Sequence, residues 1–150
     1  MPLTLRPAAL TKHGGQISLP GGAVDEREST ADTALRELRE ELGPVESVEL
    51  LQQLSDSYVY VSDFLVTPWL AATSIEPEWR PHASEVERVV EFPLETLLDP
   101  TRVGTVEIER GPRSFRAPCL WFGDDYIWGA TSIILGQLAG ALRNILDPPS

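Results

Sequence analysis

Glu37, Glu40 and Glu41 stand at i, i+3 and i+4, a spacing that on a helix turns three carboxylates toward one face. Like charges so placed repel each other, and Arg36 and Arg39 relieve only part of that cost. Residue types alone leave two readings open. The cluster is a solvated acidic face, the common meaning of a charge run, or it is a set of hard oxygen ligands for a divalent cation. A cation would turn mutual repulsion into shared coordination. Glu28 adds a fourth carboxylate upstream, after the backbone freedom of Gly22. Arg6, Lys12 and His13 are cationic or polar side chains with the reach to meet an anion.

The elements that must position these groups follow from pattern. Gly15, Pro20, Gly21 and Gly22, then Asp25, Glu26 and Glu28, are loop chemistry. Ser29 with Asp32 has capping-box spacing, and Ala31, Ala34, Leu35, Leu38 and Leu42 recur as one apolar stripe. Gly43 and Pro44 stop the helix. Residues 45–54, 58–72 and 86–92 read as strands, with a surface loop over 74–84 and a short helix over 94–98. Residues 103–109 and 115–122 read as a hairpin turning at Gly111-Pro112. A last helix capped by Thr131 or Ser132 buries Ile134, Leu135, Leu138, Ala141, Leu142 and Ile145 and ends at Asp147-Pro148. Strands with helices for both faces give an α/β fold, and no repeat or linker divides residues 1–150, so a single domain is expected.

Composition narrows the partners. Twelve Lys and Arg against 23 Asp and Glu give a net charge of -11, which disfavours nucleic acid and anionic membranes. An anionic ligand then needs local reversal of that field, which bound cations supply. The lone Cys119 cannot form an internal disulfide, no Cys/His set has zinc spacing, and no apolar run or leader is evident. A cytoplasmic protein is expected.

Spacing decides between the two readings of the glutamates. From Gly22, five residues lead to Glu28, seven more lead to Arg36, and then come Glu37, Leu38, Arg39, Glu40, Glu41, Leu42 and Gly43. This resembles the Nudix hydrolase signature, Gly, five residues, Glu, seven residues, Arg-Glu-apolar-any-Glu-Glu-any-Gly-apolar; Pro44 alone departs from it. The resemblance implies an α/β/α sandwich with a mixed sheet and metal-dependent pyrophosphate hydrolysis with Mg²⁺ or Mn²⁺. It implies Glu40 and Glu41 as principal metal ligands, Glu37 as ligand or water-orienting base, and Glu28 as a further ligand or support. It also implies Arg36 fixing the catalytic carboxylates and the Gly22 backbone approaching the metal. Many Nudix folds place an extra carboxylate where Glu85 stands.

The flanks point to a substrate. Leu3, Thr4, Arg6, Gly15, Pro20, Gly21 and Gly22 fall in register with the segment before the box in the coenzyme A pyrophosphatase branch. Pro2, Pro7, Thr11 and Leu19 depart from it. Val66-Thr67-Pro68, Glu85-Val86-Glu87, Phe92-Pro93-Leu94, Leu97-Leu98-Asp99 and Ile127-Trp128-Gly129-Ala130-Thr131 also resemble that branch. The resemblance implies cleavage of coenzyme A or a derivative to 3',5'-ADP and 4'-phosphopantetheine, with Arg6, Lys12 and His13 meeting substrate phosphates. ADP-ribose, NADH or a dinucleoside polyphosphate is the alternative substrate, and a non-catalytic binding domain the third reading. Members of the branch carry an apolar strand before Leu3 that is lacking here, so an exposed sheet edge or a homodimer is expected.

Overall fold

A computed structural model describes residues 1–10, 13–60 and 62–146, with the backbone alone at Arg110. By its contacts the chain divides into two compact units, Pro2–Glu91 and Met1 with Phe92–Ser150. Helices and strands are both present, an α plus β content.

In the first unit β1 (Pro2–Leu5) lies between β2 (Ile17–Ser18) and β7 (Arg88–Glu91), antiparallel to both. Leu3 opposes Val90 and Thr4 opposes Ser18, and alternation along β1 sends Leu3 into the core beside Val90. Both edges of β1 are thus taken. Among the described residues β1 is the middle strand of a three-stranded sheet, with β2 and β7 at its edges.

α1 (Thr30–Leu42) follows, then β3 (Val48–Gln53), which pairs antiparallel with β6 (Trp69–Thr73) through an irregularity between Leu50 and Gln52. The single strand expected over 58–72 is broken into β4 (Ser57–Val59), β5 (Phe64–Val66) and β6. The break has a local cause. Asp63 adopts a left-handed φ of 56°, which Asp tolerates, and accepts a hydrogen bond of 2.5 Å from the Tyr58 hydroxyl, so the chain reverses without Gly or Pro.

The second unit holds two short 3-10 turns, Leu94–Leu98 and Pro100–Arg102, then β8 (Val103–Arg110), β9 (Arg113–Phe122), β10 (Asp125–Trp128) and α2 (Ala130–Leu146). β8 and β9 form the expected hairpin, with Gly111 at φ 55°, and β10 extends it into a three-stranded meander. α2 packs on β9, β10 and the 94–98 turn, burying Ile134, Leu135, Leu138 and Ala139. Ala141 and Ile145, expected in that stripe, are exposed. The helix has left the sheet by its last turn, where Arg143 reaches the Leu97 carbonyl. Its expected stop at Asp147-Pro148 lies outside the described residues.

Among the described residues every registered strand pair is antiparallel, where a mixed sheet was expected. The β4–β5 and β8–β9–β10 connections are turns, too short for the crossover that a parallel pair needs.

Candidate active site

α1 is fixed at both ends. At its start the Ser29 hydroxyl accepts from the Asp32 backbone N–H at 3.1 Å, closing the cap read from the sequence. The Trp69 indole on β6 donates to the Thr30 hydroxyl at 3.1 Å, which ties the first turn to a strand. At its end Gly43 donates to the Arg39 carbonyl, and the segment after the 74–78 loop caps two more carbonyls: Arg80 N–H on Leu42 at 2.8 Å and His82 N–H on Glu41 at 2.9 Å.

Gly43 is required there twice over. Its φ of 85° and ψ of 179° suit glycine alone, and a Cβ would stand 2.9 Å from the Arg80 Cβ. Gly43→Ala is therefore expected to cost about 2 kcal/mol or more, the sum of backbone strain and a displaced capping segment. Thermal unfolding should show the loss, and an unchanged Tm would mean that 80–82 does not clamp the helix.

Arg36 is the centre of the site's charge. Its Nε and Nη2 grip the two Glu28 oxygens at 3.0 and 3.1 Å, and Nη1 sits 2.9 Å from Glu37 and 3.0 Å from Glu40. Nη2 also donates to the Ala23 carbonyl at 3.1 Å. With Asp25 3.8 Å from Nη2, one planar guanidinium thus balances four carboxylates and anchors the loop that precedes the helix. The Arg36 hydrogen bond holds the Glu28 carboxyl down at about 2, helped by the Thr33 hydroxyl, 2.8 Å away. The same pairing, first with Glu28 and then with Glu37, raises Arg36. Thr33, buried under Glu28, is a site residue the sequence did not flag. A threonine inside a helical stripe carries no signal until its partner is known.

Glu41 behaves differently from its neighbours. Where Glu40 keeps half its side chain in solvent, Glu41 is 2% exposed. Its Oε1 accepts from the Gly21 N–H at 3.4 Å, and its Oε2 is buried without a partner. Burial pushes its carboxyl up to about 7, against the Gly21 N–H, the Arg6 charge and the Thr4 hydroxyl, with Glu37 adding to the rise. A buried carboxylate oxygen with no donor is costly to the fold, which makes Glu41 a candidate functional group.

The donor set suits a hard divalent cation: carboxylates from Glu28, Glu37, Glu40 and Glu41, and the backbone at Gly22. Gly22 runs so close to Glu37 that a Cβ there would land on the Glu37 carboxylate. The unpartnered Oε2 of Glu41 has a lone pair free for a metal. Among the described residues no three acidic, His or Cys side chains yet converge at metal-binding distances, because Arg36 draws Glu28, Glu37 and Glu40 onto itself. The residues fit the ion in kind, with Arg36 taking one oxygen of Glu37 and one of Glu40.

Of the other candidates, Arg6 is half-buried with its Nε enclosed, and its charge acts on Glu41. His13, at φ 57°, is exposed and its Nδ1 is 3.0 Å from the Gln16 amide oxygen. Lys12 lies outside the described residues. Glu85 is half-buried in a turn, its N–H on the His82 carbonyl.

Comparison with known proteins agrees with this geometry. Residues 3–109 match the NUDIX domain. A Pectobacterium atrosepticum protein named uncharacterized Nudix hydrolase NudL is 39% identical over 141 residues, covering 91% of this chain and 72% of the relative. Proteins of the same name from Salmonella paratyphi B and Salmonella newport are 38% identical over the same lengths. The family match spans α1 and all four of its site glutamates, and Nudix hydrolases generally use divalent metal ions such as Mg²⁺ or Mn²⁺. The chain belongs to the Nudix hydrolase family and is a pyrophosphohydrolase.

Proposed function

We propose that residues 1–150 act as one catalytic domain that hydrolyses the pyrophosphate bond of coenzyme A or an acyl derivative. The products are 3',5'-ADP and 4'-phosphopantetheine or its acyl form. The observation that carries the hydrolysis is the buried Glu41 carboxylate, its Oε2 without a partner, beside carboxylates that Arg36 holds. The observation that favours coenzyme A is the ordered set of flanking segments, from Leu3-Thr4 and Arg6 to Trp128-Gly129.

In this reading Glu37, Glu40, Glu41 and Glu28, with the Gly22 backbone, would hold Mg²⁺ or Mn²⁺, which would neutralise charge on the diphosphate oxygens. Glu37, next to Gly22, orients the attacking water and accepts its proton. The water oxygen bonds to one phosphorus, the bridging P–O bond breaks, and the departing phosphate keeps the electron pair. Arg36 keeps Glu28 ionised and fixes the rotamers of Glu37 and Glu40. Arg6, Lys12 and His13 meet the substrate phosphates. The enzyme works in the cytoplasm on a diffusible nucleotide.

Purified protein incubated with coenzyme A and Mg²⁺ or Mn²⁺ should release 3',5'-ADP, read by separating the products. No 3',5'-ADP at any metal concentration would remove the coenzyme A reading. Faster turnover of ADP-ribose, NADH or a dinucleoside polyphosphate would assign the same site to that substrate.

A further inference from the structure

Within the unit Pro2–Glu91 two complementary atoms are buried without hydrogen-bond partners: the Nε of Arg6, a donor, and the Oε2 of Glu41, an acceptor. Each is costly when left unmet. The Arg6 charge and the Thr4 hydroxyl both act on the Glu41 carboxyl.

β1 explains the convergence. Its ladder with the β2 side continues past Leu5, with Arg6 N–H on the Gln16 carbonyl at 3.0 Å and Gly15 N–H on the Arg6 carbonyl at 2.9 Å. Alternation therefore persists, and Thr4 and Arg6 fall on one side of the strand, opposite to Leu3. Thr4 is fully enclosed, its hydroxyl 3.3 Å from that of Ser18. Glu41, on α1, responds to both Thr4 and Arg6 and accepts a long 3.4 Å bond from the Gly21 N–H.

We propose that Arg6 is a positioning residue for Glu41: its Nε edge closes on the buried carboxylate and sets its orientation, while the outer edge of the guanidinium is left for a substrate phosphate. The second half rests on the function proposed above; the first does not. Arg6 then links an arriving diphosphate to one of the groups that grip the cation, which a surface lysine could not do, because its ammonium has no second edge.

A double-mutant cycle run without metal or substrate at pH 8 tests the pairing. Arg6→Met is expected to lower Tm by roughly 5 °C with Glu41 present and by less than about 2 °C in the Glu41→Gln background. With coenzyme A and metal, Arg6→Met should lower kcat at least about 5-fold as well as raise KM, since Glu41 is misplaced at turnover. Equal Tm losses in both backgrounds would overturn the proposal by making Arg6 a packing residue. An unchanged Tm with KM alone raised would overturn it by making Arg6 a phosphate contact only. Should Arg6→Met not fold, Arg6→Lys runs the same cycle, keeping the charge and removing Nε. If coenzyme A is not hydrolysed by the parent protein, the thermal cycle still decides the pairing.

Discussion

Glu41→Gln is expected to lower kcat at least about 10²-fold, the scale of losing one strong electrostatic stabiliser, while making the metal-free protein more stable above neutral pH. The two effects share one cause. Burial raises the Glu41 carboxyl from 4.5 to about 7, so between those values the folded chain holds a proton that the unfolded chain has released. The Glu41 contribution is therefore without penalty below pH 4.5, turns unfavourable as pH rises through this window and is fully unfavourable above about 7. At pH 8 the penalty is about 3 kcal/mol, roughly 10 °C in Tm for a chain of this size. Glutamine keeps the shape and carries no charge, so the variant should show none of this fall. Glu28 does not blur the result, since its carboxyl is lowered to about 2 and its contribution is lost only in acid below that window. Thermal unfolding in chelator at pH 5 and pH 8 reads the difference. Parallel falls in parent and variant would mean that Glu41 is not the charge being forced into the core.

Gly22→Ala is expected to reduce kcat by about 10²-fold with little change in Tm. Gly22 lies in an exposed loop and its added methyl lands on the Glu37 carboxylate, the far end of a side chain rather than backbone, so the fold yields cheaply. The carboxylate, however, must move by a distance of the order that misaligns a reacting group, and such a displacement costs about that factor. The contrast with Gly43→Ala is informative: there the obstacle is the Arg80 backbone segment and the φ is left-handed, so stability suffers first. Steady-state kinetics beside thermal unfolding separates the two glycines. A Gly22→Ala enzyme with full turnover would mean that Glu37 does not need its observed place.

Much of α1 was legible in advance because its signals are local. The Ser29 cap, the Gly43 exit and the period of the glutamates depend on residues within a turn or two of each other. What the sequence hid was set from elsewhere in the chain. Glu37, Glu40 and Glu41 are equivalent by spacing, yet Glu41 is enclosed because Thr4 and Arg6 on β1 meet it, and Glu40 is not. β2 falls within the stretch that reads as loop and β1 carries no strand signal of its own, since strands of four and two residues hold too little alternation, and the β7 partner comes late in the chain. The run over 58–72 looked like one strand because Tyr58 and Phe64 are strand formers, and the reversal at Asp63 carries neither Gly nor Pro. Thr33 was missed because a hydroxyl gains meaning only from the Glu28 oxygen beside it.

The most direct measurement is a crystal of the protein soaked in Mn²⁺ and recorded for anomalous scattering. The expected result is a peak bounded by the Glu41 carboxylate and the Gly22–Glu37 contact. A map with no peak there at saturating Mn²⁺ would contradict a cation-gripping site on α1.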